Sequence, residues 1–100
     1  MSTRTYAQLV TEDRRLVILR VLAEDPGYSM NTSLLHAALG SLGHTCTRDQ
    51  VATDTAWLKE QGLVDTQEAG PVTIVRLTGR GEDVAAGRTT VPGVRRPSPR

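Results

Sequence analysis

The side chains best suited to chemistry in this chain are few: one cysteine, two histidines and a scatter of arginines. Cys46 with His36 and His44 suggests a metal, but no second cysteine or carboxylate stands at ligand spacing, and a zinc site wants four ligands. His36 therefore reads as a partly buried or surface imidazole and Cys46 as a small apolar filler. Gly79, Arg80 and Gly81 follow a threonine and lack the lysine of a phosphate loop. No histidine is placed against a serine and an aspartate in any nucleophile pattern. The chain thus reads as a non-enzyme without cofactor or metal. What remains is recognition: Arg48, Thr53 and Lys59 recur along one segment, with Arg76, Arg80, Arg88, Arg95 and Arg96 further on. Such groups suit phosphate oxygens and base edges.

The element that must carry the first three is the run from Thr47 to Val64. Thr47 can cap a helix and Gln50 stands three residues on, as a capping box requires. At helical spacing Val51, Thr55 and Leu58 share one side, with Asp54 on its edge, so that side faces a core. Gly62 supplies the stop, and Leu63 with Val64 begin an extended run. The outer sides then hold Arg48, Asp49, Ala52, Thr53, Ala56 and Lys59. Arg48 and Lys59 are opposed by Asp49, Asp54 and Glu60, so the phosphate frame that supplies much of the affinity for duplex DNA must come from elsewhere. The arginines from Arg76 to Arg96 are the candidates, those of the tail above all, because no acid follows Asp83. Trp57 lies off the apolar stripe, either packed at the core's edge or offered to a partner.

Before this segment, the sequence from Thr5 to Asp25 predicts one long helix, or a short one followed by a second start at Thr11. Between Leu16 and Ala23 every residue but Arg20 is apolar, so the helix is apolar on more than one face. Either a second copy of the chain covers the surplus through Leu16, Leu19 and Leu22, or the chain's own N-terminal turn or last helix does. Asp25, Pro26 and Gly27 end it, and Tyr28 with Ser29 reads as a short extended link. Asn31 or Ser29 then caps a helix whose stripe is Leu34, Leu35, Ala38, Leu39 and Leu42, closed by Gly43. The short turn from Gly43 to Cys46 suits a steep helix-turn-helix. After Leu63 two strands meet at Ala69, Gly70 and Pro71, the candidate wing. Thr78 caps a short closing helix in which Gly81 allows close approach, and Gly87 ends it. Residues 1–88 are therefore the expected domain. Residues 89–100, with three prolines, no acid and Arg95, Arg96 and Arg100, are the expected flexible basic tail.

A chain of 100 residues with net charge +1 should form one small domain and gains no general pull on nucleic acid. A lone cysteine fits a reducing cytosol. The N-terminus lacks a signal-peptide core and no apolar run is long enough to span a membrane, so the expected place is the cytoplasm.

The order helix, helix, helix, two-strand wing, short helix resembles winged helix-turn-helix domains, and WLKEQGLV paired with RLTGRGEDVA looks like the third helix and post-wing element of many bacterial regulators. More narrowly, EDRRLVILRVLAEDPGYSMNTSLL, the third-helix segment and VAAGRTTVPGV resemble a family of small proteins of Mu-like transposable phages and prophages. The resemblance spans nearly the whole chain. Thr55 stands where the winged-helix pattern prefers leucine, which weakens packing beneath the third helix. The fold class expected is mainly α with a small β-hairpin. Two functions follow. One is double-stranded DNA binding by a homodimer, in phage gene regulation or DNA packaging. The other is a protein-interaction adaptor in which Trp57 and the acidic third helix meet another phage protein.

Overall fold

Thr5 begins the first helix: its hydroxyl accepts the Gln8 N–H while the Gln8 side chain accepts the Thr5 N–H in return. In the computed structural model, which describes residues 3–98, this helix runs unbroken as α1 (Tyr6–Glu24). The second start at Thr11 is not used. Asp25 closes the helix, and its carboxylate accepts from the Gly27 N–H at 2.8 Å. The residue that takes the left-handed conformation in this turn is Tyr28, with φ +55°, and not Gly27.

Ser29–Asn31 then form a strand, β1, and Asn31 caps α2 (Thr32–Ser41) through its side-chain oxygen and the Leu34 N–H. Within α2 the stripe expected from the sequence is narrower than five residues. Leu35 and Leu39 are fully buried, whereas Leu34 and Leu42 are 54% and 58% exposed. Thr47 opens α3 (Arg48–Glu60) with a complete capping box, and Gly62 at φ +74° ends it. Strands β2 (Val64–Ala69) and β3 (Val72–Leu77) follow as an antiparallel hairpin, and α4 (Gly79–Ala85) closes the set under a Thr78 cap.

The link expected at Tyr28 and Ser29 is part of the sheet. β1 pairs antiparallel with β3, Met30 opposite Val75, so the sheet has three strands in the order β1-β3-β2. Alternation sends Val64, Val75 and Leu77 inward onto the helices and leaves Arg76 on the far face. Gly81 has no room for a side chain, because a Cβ there would lie 2.0 Å from the Leu63 carbonyl oxygen. That contact seats the first turn of α4 against the turn between α3 and β2.

Two expectations require correction. Leu16, Leu19 and Leu22 are not an association surface: all three are buried in the chain's own core with Leu35, Leu39 and Leu58. Helix α4 and the C-terminal residues supply the cover. Nor do residues 89–98 run free as a tail beyond a domain ending at 88. Val91 and Val94 are core residues, joined by a tight turn in which the Val94 N–H meets the Val91 carbonyl at 3.1 Å. The Arg95 N–H then donates to the Glu12 carbonyl of α1 at 3.1 Å. Proline and glycine at the turn's corner make this docking possible, since Gly93 at φ +98° takes a conformation most side chains resist. Arg100 lies outside the described residues.

Candidate nucleic-acid interface

The roll of α3 is fixed by a charge cluster at its buried side. Asp54 is only 2% exposed and accepts from Arg14 at 2.5 Å and from Arg15 at 3.4 Å. Arg14 is itself buried, whereas Arg15 lies over the Trp57 ring, 3.9 Å from its centroid, and donates to the Gly93 carbonyl at 3.0 Å. One guanidinium thus joins α1, α3 and the C-terminal turn. Thr55, the departure from leucine, is also buried, and its hydroxyl donates to the Ala52 carbonyl at 3.0 Å. A buried polar group partnered in this way avoids the desolvation cost of an orphan.

With its inner side so held, α3 leaves Arg48, Asp49, Ala52, Thr53, Ala56, Lys59 and Glu60 exposed. The hairpin runs beside this surface, and between them lies an open groove of about 670 Å³ lined by both. Arg48 and Lys59 sit on it with Asp49, Glu60 and Glu68, so acids outnumber bases by one. Thr66 and Thr73 on the hairpin, with Thr32 at the start of α2, add neutral hydroxyls. The Arg48 guanidinium reaches Ser33 at 3.5 Å, across to α2.

The other expected cations do not join this groove. Arg76 lies on the sheet face away from Thr66 and Thr73, in register opposite Asp65. Arg80 is exposed on the first turn of α4, near Gly62. Arg88 pairs with Asp83 at 2.8 Å and Arg95 with Asp13 at 2.8 Å, so the tail arginines are not the uncompensated set that the sequence suggests. Arg96 is exposed and has no ion-pair partner among the described residues. Arg95 and Arg96 instead flank a separate hollow with Arg4 and Leu9 at the start of α1.

Trp57 is half-buried and packed at the core's edge, the first of its two expected alternatives. It packs against the core, its ring covered by Arg15 on one face and met by Gly93, where a Cβ would lie 2.7 Å from the ring. His36 donates to the Cys46 carbonyl at 2.8 Å and His44 to Asp13 at 2.7 Å. Burial pushes the Cys46 thiol above its usual range, which makes it a poorer nucleophile at neutral pH. No three His, Cys, Asp or Glu side chains among the described residues are grouped to hold a metal. Among the described residues no helix is long and apolar enough to cross a membrane.

Asp13 carries a consequence for pH. Partial burial would raise its carboxyl, but hydrogen bonds from Arg95 and His44, with their charges, outweigh this and hold it below the usual carboxylate range. A depressed folded value means the stabilisation is complete above the unfolded value, about 3.9, and is lost as pH falls through the lower folded value. Acid unfolding of Asp13→Asn should therefore be less steep below about pH 4 than that of the unchanged chain. Thermal melts between pH 2 and 6 check this. Identical slopes would show that the contact is energetically silent.

Sequence missed the Arg14, Arg15 and Asp54 cluster, although it carried a signal: two adjacent arginines enter an apolar helix, and one aspartate borders an apolar stripe.

Three helices, a two-strand wing beside the third, and a closing helix define a winged helix-turn-helix protein. The complex structures of hsRosR-S1 and hsRosR-S4 share the arrangement with TM-scores of 0.60 and 0.59. Each is 20% identical and covers 83% of this chain, which spans 67% and 65% of theirs. No family model matches. The uncharacterized protein gp26 of Escherichia phage Mu is 48% identical over 92 residues, 92% of this chain and 95% of its own length. The chain belongs to the family of that phage protein. An uncharacterized protein of Haemophilus influenzae is 47% identical over 60 residues, covering 60% of this chain and 58% of its own.

Proposed function

We propose that this protein binds double-stranded DNA through the outer side of α3, in phage or prophage gene regulation or DNA packaging. The observation that carries this reading is the shape of that side. Ala52, Thr53 and Ala56 are exposed and small, and Arg48 and Lys59 stand at the two ends of the same helix. A helix bare in its middle enters a major groove deeply, where short apolar groups meet thymine methyls and a terminal arginine reaches guanine or phosphate. Membership in the gp26 family supports the phage setting.

Arg76, Arg80 and Arg96 are proposed as outlying phosphate contacts. Arg88 and Arg95 are the weaker candidates, since the Asp83 and Asp13 carboxylates beside them offset their charge. Binding to mixed-sequence duplex should fall with rising salt, because each neutralised phosphate releases counterion. Lys59→Ala should reduce the salt slope by about one, and Ala56→Glu should abolish binding with the melting temperature held. Fluorescence anisotropy at two salt concentrations reads both.

A second reading has its own observation, the excess of acid along the groove. An adaptor that holds a basic segment of a protein there would show no retention on duplex even at low salt. That result would displace the DNA reading.

A further inference from the structure

The outward surface of α3 carries its charges in an uneven order. Asp49, Ala52, Thr53 and Ala56 follow one another at helical spacing and are all exposed, so they form the stripe that faces away from the core. Arg48 and Lys59 are not on that stripe. They lie on its edge toward the hairpin, and the Arg48 guanidinium leans to Ser33 of α2 at 3.5 Å. The first polar group of the stripe is therefore a carboxylate. Asp49 forms no ion pair with any described residue, whereas Asp13, Asp54 and Asp83 are each paired with an arginine.

We propose that Asp49 sets base preference, by accepting a hydrogen bond from the N4 amino group of a cytosine in the major groove. This rests on the reading of α3 as a DNA-binding helix. The N-terminal residues of a recognition helix are the ones that reach base edges, which places Asp49 over the bases and Glu60, at the other end, clear of them. An ionised carboxylate only accepts. Cytosine alone shows the major groove a donor and no acceptor: adenine sets N7 beside its amino group, guanine shows two acceptors, and thymine shows O4. Against any other base the carboxylate meets an acceptor, amid phosphate charge that already opposes it. The acid that lowers general affinity thus becomes the source of discrimination. Thr53 lies four residues on, about 6 Å along the axis or roughly two base-pair steps. Its methyl group, with those of Ala52 and Ala56, suits thymine. The preferred duplex therefore carries a cytosine about two base pairs from a T·A pair. Asp49 also complements the helix dipole from the first turn, a role indifferent to DNA sequence.

Selection by the full chain from a library of random-sequence duplexes, then fluorescence anisotropy on the enriched duplex and its single-base variants, tests this. The unchanged chain should enrich a core with one fixed cytosine, and replacing that base should weaken binding about fivefold or more. Asp49→Asn, nearly the same in shape, should exchange that cytosine for adenine, because an amide pairs with N6 and N7 together. It should also bind mixed-sequence duplex about threefold or more tightly, one negative charge having gone. Asp49→Ala should lose the preference at that position and keep it elsewhere. If both variants enrich the same core as the unchanged chain and differ only in melting temperature, Asp49 serves the helix alone; the proposal is then overturned and the DNA reading stands. Enrichment of no sequence, with no retention on duplex at low salt, would remove both.

Discussion

Replacing Asp54 by alanine should cost about 3 to 5 kcal/mol, the toll of leaving a buried charge without its partner. For a chain of this size that lowers the melting temperature by roughly 15 to 30 °C. Arg14 is the reason. It is buried and its partner is the Asp54 carboxylate, so the variant strands a buried guanidinium without its counter-charge. Arg15 suffers less, since it keeps Trp57 and the Gly93 carbonyl. The pair need not be a net source of stability. Burying two ions is costly, and apolar groups of similar size often do as well. Hence Arg14→Met with Asp54→Leu should recover most of what Asp54→Ala removes, about 3 kcal/mol or more. Denaturant melts of the three variants decide it. A loss below about 1 kcal/mol for Asp54→Ala would show that water reaches the cluster and that the roll of α3 is set by packing alone.

That cluster also shows what the sequence could disclose. The third helix was legible because both ends are written locally, by Thr47 with Gln50 and by Gly62, and because Val51 and Leu58 mark its inward side. Local chemistry of this kind needs no knowledge of the fold. Helical spacing puts Asp54 at the edge of the stripe, where a carboxylate is expected to meet water. Its burial depends on arginines about forty positions earlier, and pattern reasoning along one segment cannot see them. The strand β1 escaped for a related reason. Three residues carry too few alternations to declare themselves, and only the partner β3 makes Ser29–Asn31 a strand. The opposite error fell on α2. Leu34 and Leu42 fit a helical stripe by spacing, but α1 and α3 leave both ends of that stripe uncovered. The candidate surface was legible in part: Arg48, Thr53 and Lys59 are exposed on one helix, whereas Trp57 is half-buried against its own chain.

The C-terminal segment misled most, and it yields the second large effect. Arginines and prolines there suggest a chain too polar to bury anything, yet the run Val91-Pro92-Gly93-Val94 has a turn at its centre and an apolar residue at each end. Folded back, the turn sets both valines into the core and Gly93 against the Trp57 ring. Deleting the chain from Thr90 onward should therefore cost about 2 to 4 kcal/mol. Each buried valine contributes about 1.5 to 3 kcal/mol, offset in part by the backbone freedom the ordered segment gives up. Trp57 emission should shift to the red as water reaches the ring. The single change Gly93→Val should reproduce both effects, because it adds a Cβ where the ring already stands and requires a left-handed backbone that a branched side chain resists. A melting temperature within about 2 °C of the unchanged chain, with Trp57 emission unmoved, would refute the docking. The same reasoning bears on DNA. A truncated chain that binds duplex poorly has lost a structural strap as well as Arg95 and Arg96, so only Arg96→Ala, exposed and without an ion pair among the described residues, tests the segment's charge by itself.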